Sequence, residues 1–163
     1  MVINVIIPAF NEENGVGQVI LEIPKDIVAE IIVVNNASTD DTERIAREAG
    51  ATVLRELIPG YGRACLKGID YLATAVNKPD IVVFLDADHS DYPEEIRELI
   101  KPIVENKADL VIGSRALGGK EKGSMTPQQI FGNWLATRLL KWIYKVKFYR
   151  PWTFSRDQVF KAA

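Results

Sequence analysis

Short apolar runs punctuate the chain at Val2–Ile7, Ile31–Val34, Ile81–Leu85 and Leu110–Ile112, with a weaker fifth at Val53–Leu54. They lack the in-and-out alternation of a strand with one wet face, and so predict strands covered on both sides. Helical patterns separate them. Ser38-Thr39-Asp40-Asp41-Thr42-Glu43 supplies capping residues and first-turn acids, Ile45, Ala46 and Ala49 a buried stripe, and Gly50 a stop. A second helix is expected after Pro93, with Ile96, Leu99, Ile100, Ile103 and Val104 on one face and Pro102 bending or shortening it. A third is expected from about Gln128 to Tyr144, and Gly118–Gly123 is the expected flexible loop. Strands alternating with helices predict an α/β fold, an open, mostly parallel sheet with helices on both faces.

The 163 residues, 47% hydrophobic and 26% charged, suit one folded domain of ordinary size. Lone Cys65 can form no disulfide within the chain, and lone His89 excludes the paired spacings of structural zinc. With neither a signal-like segment nor a span-length apolar stretch, the expected location is the reducing cytoplasm. A net charge of −2 hides an asymmetry: residues 128–163 carry seven Lys or Arg and one acid, net +6, which leaves −8 for residues 1–127. Nine of the fourteen aromatics also lie beyond residue 127. The chain is therefore read as an acidic core, 1–127, and a basic, aromatic helix and tail, 128–163, that continues the same domain. Arg138, Lys141 and Lys145 form one basic strip beside the apolar Phe131, Trp134, Leu135 and Leu139. That strip suits the inner face of a membrane or a second subunit, and equally an ordinary docked helix with a solvated face. Nothing in the sequence calls for nucleic acid.

In an open α/β sheet, ligands bind at the carboxyl ends of the strands. Here those ends read Pro8-Ala9-Phe10-Asn11-Glu12-Glu13, Asn35-Asn36-Ala37-Ser38, Asp86-Ala87-Asp88-His89-Ser90-Asp91 and Gly113-Ser114-Arg115. One residue separates Asp86 from Asp88, so extended backbone turns both carboxylates to one side, where Mg²⁺ or Mn²⁺ would relieve their repulsion. The alternative is a solvated turn whose acids cap the next helix. Gly60-Tyr61-Gly62-Arg63 and Gly68 offer backbone N–H groups to a phosphate, or form a tight turn before an ordinary helix. Arg115 stands at the same sheet edge, able to clamp a phosphate or to pair with Asp86 or Asp91.

Taken in order, these segments resemble family 2 glycosyltransferases, the group that includes dolichol-phosphate mannose synthase and bacterial relatives. Val5-Ile6-Ile7-Pro8-Ala9-Phe10-Asn11-Glu12-Glu13 is similar to the opening strand and nucleotide loop, and Ile32–Thr42 to the family's V-V-D-D-G-S-T-D-x-T segment. Phe84-Leu85-Asp86-Ala87-Asp88 with Tyr92-Pro93-Glu94-Glu95 is similar to the D-x-D motif and its following helix, and Val111–Arg115 to the G-S-R strand end. The resemblance covers roughly residues 2–145. It implies a Rossmann-like sheet of the glycosyltransferase A type that binds a nucleoside-diphosphate sugar. Pro8, Ala9, Asn11 and Glu12 would meet base and ribose. Asn35 and Asn36 stand where relatives carry aspartates that meet the base. Asp86 would face ribose and metal, Asp88 would bind the metal, and Arg115 would help hold the diphosphate, which makes Asp86, Asp88 and Arg115 the implied catalytic set.

The implied reaction is displacement at the anomeric carbon by an acceptor oxygen, with a lipid phosphate such as a polyprenyl phosphate as the suggested acceptor. The segment Lys147–Arg156 matches none of the acceptor-side stretches of polyprenol-phosphate relatives, so donor binding without efficient transfer is the expectation for this chain alone. Two other readings are a sugar-phosphate nucleotidyltransferase, which would carry a glycine-rich, lysine-bearing loop after the first strand, and a nucleotide-binding remnant of a glycosyltransferase.

Overall fold

A computed structural model describes residues 1–113. The chain falls into two compact units, Met1–Lys101 and Pro102–Ala163. The boundary at 127, the helix over 128–144, the Gly118–Gly123 loop and the tail lie outside the described residues.

Within Met1–Lys101, β1 (Ile3–Ala9), α1 (Val16–Glu22), β2 (Glu30–Asn36), α2 (Thr42–Glu48), β3 (Thr52–Glu56), α3 (Tyr61–Ala73) and β4 (Ile81–Phe84) alternate as the apolar runs predict. A 3₁₀ turn at Pro93–Glu95 leads into α4 (Ile96–Val104). Pro102 lies inside α4, and the helix stops two residues later. Gly50 ends α2 as expected: it takes φ +94 and donates to the Arg47 carbonyl, while the Ala51 N–H bonds the Ala46 carbonyl.

The sheet is parallel throughout, in the order β3-β2-β1-β4. Its register pairs Ile6 with Ile32 and with Phe84. The chain first winds outward from β1 to β3, then returns to β4 on the other side of β1. Right-handed crossovers in opposite directions put their helices on opposite faces. Accordingly Ala64 and Leu72 of α3 pack on Ile6, Ile32 and Val34, with Leu54 beside them. Helix α1 packs on α2, so closely that a Cβ on Gly17 would lie 2.9 Å from Ile45 Cγ2. The alternate residues Val5, Ile7 and Val33, also fully buried, serve that second layer.

Every residue of β1 is buried, in keeping with a strand covered on both faces. Strand β4 is not: Ile81 and Val83 are buried while Val82 and Phe84 are exposed. Helix α3 lies on β1, β2 and β3, leaving that side of β4 open. The expected strand at Leu110–Ile112 is absent. Its three residues offer too few ladder bonds and too little burial, and Leu110 and Ile112 stand in solvent.

Candidate active site

Reversal of strand order at β1 opens a crevice at the carboxyl ends of the strands, where the loops after β1 and β4 diverge. A cleft of about 440 Å³ lies there, lined by residues that include Pro8, Ala9, Glu12, Asn36, Asp86 and Asp88. Its remaining wall is Phe10, the Pro59–Tyr61 turn, Ala64 and Ala87.

The loop after β1 is laced to the loop after β2. Asn11 N–H donates to Ser38 Oγ at 3.0 Å, Glu12 N–H to Thr42 Oγ1 at 2.8 Å, and Thr39 N–H to Asn11 Oδ1 at 2.8 Å. Asp40 accepts from Thr42 N–H and from Glu13 N–H. Asp41, the N-cap of α2, makes no side-chain cap hydrogen bond; the segment expected to cap the helix instead holds the neighbouring loop, and α2 begins at Thr42. Asn11, Ala37 and His89 all take left-handed φ, of 55°, 61° and 57°, so each strand-end loop turns sharply through a non-glycine residue. Ala37 holds the place of the glycine in the family's D-D-G-S pattern.

Asn35 and Asn36 are buried and committed to the fold. Asn35 Oδ1 accepts from Ser38 N–H at 3.0 Å and Nδ2 donates to Glu43 at 3.1 Å. Asn36 Oδ1 accepts from Gly60 N–H at 2.7 Å, and Nδ2 donates to the Ile58 carbonyl at 2.8 Å and the Glu56 carbonyl at 3.3 Å. Asn36 still lines the cleft, whereas Asn11 and Asn35 are not among its lining residues. Arg115 lies outside the described residues.

At the other side of the cleft Asp86 accepts from Tyr61 O–H at 3.3 Å, and Asp88 Oδ1 from Ser90 N–H at 2.9 Å. Burial, then the charge of Asp86, pushes the Tyr61 hydroxyl up to about 12, so at neutral pH it remains a donor to that carboxylate. Burial also raises the Glu12 carboxyl, reinforced by the charges of Asp88, Asp40 and Asp86. Gly60, with φ +147, is the N-cap of α3, and Tyr61–Arg63 form the first turn of that helix. The sequence points to this segment for its backbone N–H groups or as a tight turn, and does not show Tyr61 as a partner of Asp86. The adjacent glycine turn was the available signal.

Fold and site define an α/β domain with an acid-lined cleft at its topological switch point. The family model for glycosyl transferase family 2 matches residues 4–161, and the chain belongs to that family. The low-salt glycan biosynthesis hexosyltransferase Agl6 of Haloferax volcanii is 34% identical over 87% of this chain and 34% of its own length. The UDP-N-acetylglucosamine–dolichyl-phosphate N-acetylglucosaminyltransferase of Methanococcus voltae is 29% identical over 80% of this chain and 59% of its own. Among solved structures, the Mycobacterium tuberculosis glucosyl-3-phosphoglycerate synthase in complex with Mg²⁺ and UDP matches with TM-score 0.54 and 35% identity, over 63% of this chain and 39% of that one. The same synthase has been solved with Mn²⁺, UDP-glucose and phosphoglyceric acid. The chain thus spans between about a third and three fifths of the length of these relatives.

Proposed function

We propose that this chain binds a nucleoside-diphosphate sugar together with Mg²⁺ or Mn²⁺ and forms the donor side of a glycosyltransferase. The observation that carries the reading is the convergence of Asp86, Asp88 and Glu12 with Pro8, Ala9 and Asn36 on one cleft at the switch point. A structural neighbour, the Mycobacterium tuberculosis synthase, has been solved with UDP and Mg²⁺ and with UDP-glucose and Mn²⁺.

The residues present fit such a cation. Asp86 and Asp88 are hard oxygen ligands, and Mg²⁺ binds through one or two carboxylates while taking its other ligands from water and phosphate. Among the described residues no group of three or more His, Cys, Asp or Glu is placed to hold a metal ion by itself. Burial first, and then the charges of Asp88, Asp40 and Asp86, raise the Glu12 carboxyl at the same cleft. When bound, the ion supplies Lewis-acid stabilisation of the charge that grows on the departing diphosphate. The chain's own groups do the rest. Tyr61 orients Asp86, the Ser90 amide orients Asp88, and Asn36 fixes the Pro59–Tyr61 wall. In the reaction the bond from the anomeric carbon to the diphosphate oxygen breaks, a bond to an acceptor oxygen forms, and nucleoside diphosphate leaves.

For the acceptor we infer a lipid phosphate, supported by the name of the Methanococcus relative. An already anionic phosphate oxygen needs no general base, and the His89 ring lies against Glu22.

Nucleoside diphosphates and their sugars, screened for thermal stabilisation with and without Mn²⁺, test the reading. A ligand at a hundred times its Kd stabilises the folded state by about 2.7 kcal/mol. One nucleoside should raise the midpoint strongly with Mn²⁺ and little without it; no response from any of them overturns the proposal.

A further inference from the structure

Helix α1 touches the loop after β4 at both of its ends. At its N-terminus stands Gly15, buried, where a Cβ would lie 2.5 Å from the Ala87 carbonyl oxygen, 3.1 Å from the Asp88 carbonyl carbon and 3.2 Å from Asp88 Cα. Real side chains do not approach backbone so closely, so any other residue there must displace the peptide that joins Ala87 to Asp88. At its last residue Glu22 places Oε2 2.8 Å from His89 Nε2. His89 holds φ +57, a left-handed conformation that is unfavourable for an L-residue. An imidazole tethered by a carboxylate offsets part of that cost and fixes the residue next to Asp88. Between the two contacts sits Asp88, with its carboxylate turned onto Ser90 N–H.

We propose that α1 is a positioning element for the cleft's acidic edge, with Gly15 and Glu22 as positioning residues that set where Asp86 and Asp88 present their oxygens to cation and diphosphate. The inference rests on the proposed reading of Asp86 and Asp88 and adds two residues, 64 or more positions away, that the motif itself does not contain. Neither needs to touch substrate. Glycine provides the clearance that brings helix and loop backbones together, and Glu22 supplies the anchor on the far side.

The test compares the unaltered 163-residue chain with Gly15→Ala, Glu22→Ala, Glu22→Gln and the exposed helix control Gln18→Ala. Two readouts are taken: UDP affinity with and without Mn²⁺, and amide hydrogen exchange of residues 87–90 in metal-free protein. Gly15→Ala and Glu22→Ala should weaken Mn²⁺-supported UDP binding about tenfold, the low end for losing a ligand-orienting partner, while leaving metal-free UDP binding unchanged. Glu22→Gln keeps a partner for the imidazole and should restore most of that affinity, and Gln18→Ala should match the unaltered chain. Exchange at 87–90 should quicken in the two disruptive variants only. Should Gly15→Ala fail to fold, the Glu22 pair carries the comparison. Unchanged Mn²⁺-supported affinity and unchanged exchange in Glu22→Ala overturn the inference, as does a loss of affinity equal with and without Mn²⁺. An unaltered chain that binds UDP no better with Mn²⁺ defeats the proposed function instead, and the exchange data then decide alone whether α1 holds the loop.

Discussion

Asn36 spends three hydrogen bonds on backbone, accepting from Gly60 and donating to Glu56 and Ile58. The donor among its neighbours is a backbone N–H, which fixes which end of the amide faces which partner. An aspartate, the residue of the family's pattern, would lose both donated bonds and set its charge against two carbonyl oxygens. Asn36→Asp should therefore destabilise the fold by about 1–3 kcal/mol, the cost of stranding buried partners. Urea unfolding checks this; a variant as stable as the parent would mean the amide is dispensable. The role was not legible in sequence, because these partners lie 20 to 24 residues downstream. Asp86 and Asp88 were legible, since two acids one residue apart at the end of an apolar run are a local pattern. Glu22 and Gly15 were not, because nothing in a sequence marks a helix end that will meet a loop from another strand.

At the scale of elements, Glu43 ties α2 to β3. It accepts from Arg55 at 2.7 and 2.9 Å, from Arg47 on its own helix and from Asn35. Arg55 above all, then Asn35 and Arg47, hold its carboxyl down to about 2 against the opposition of burial. A carboxylate with a lowered native pKa favours the folded state fully above its ordinary 4.5, and that contribution is lost as pH falls toward about 2. Thermal midpoints measured across this window should fall less steeply in Glu43→Gln than in the parent. Identical slopes would show that the network adds nothing to the pH dependence. Strands β1, β2 and β4, and the helices α2 and α4, were foreseen because periodicity and end signals are local. The three-residue run at Leu110–Ile112 misled because apolar composition alone cannot show whether a partner strand exists. The wet face of β4 depends on where α3 stops, which is a tertiary fact.

For the molecule as a whole, strand order decides where chemistry is possible. Outward winding to β3 and return to β4 leave a crevice between the β1 and β4 loops, and the acidic motif ends the strand on its far side. Family membership and this placement agree, and residues 4–161 match the family model although the relatives compared are longer. No helix among the described residues is long and apolar enough to cross a membrane. On the proposed reading, Asp86 and Asp88 hold a divalent cation shared with a nucleoside diphosphate. Titration calorimetry of UDP into the chain with Mn²⁺, after chelation, and with Asp88→Asn examines it most directly. Chelation and Asp88→Asn should each lower affinity about tenfold or more, with the variant still folded. Affinity that survives both chelation and the substitution would contradict it.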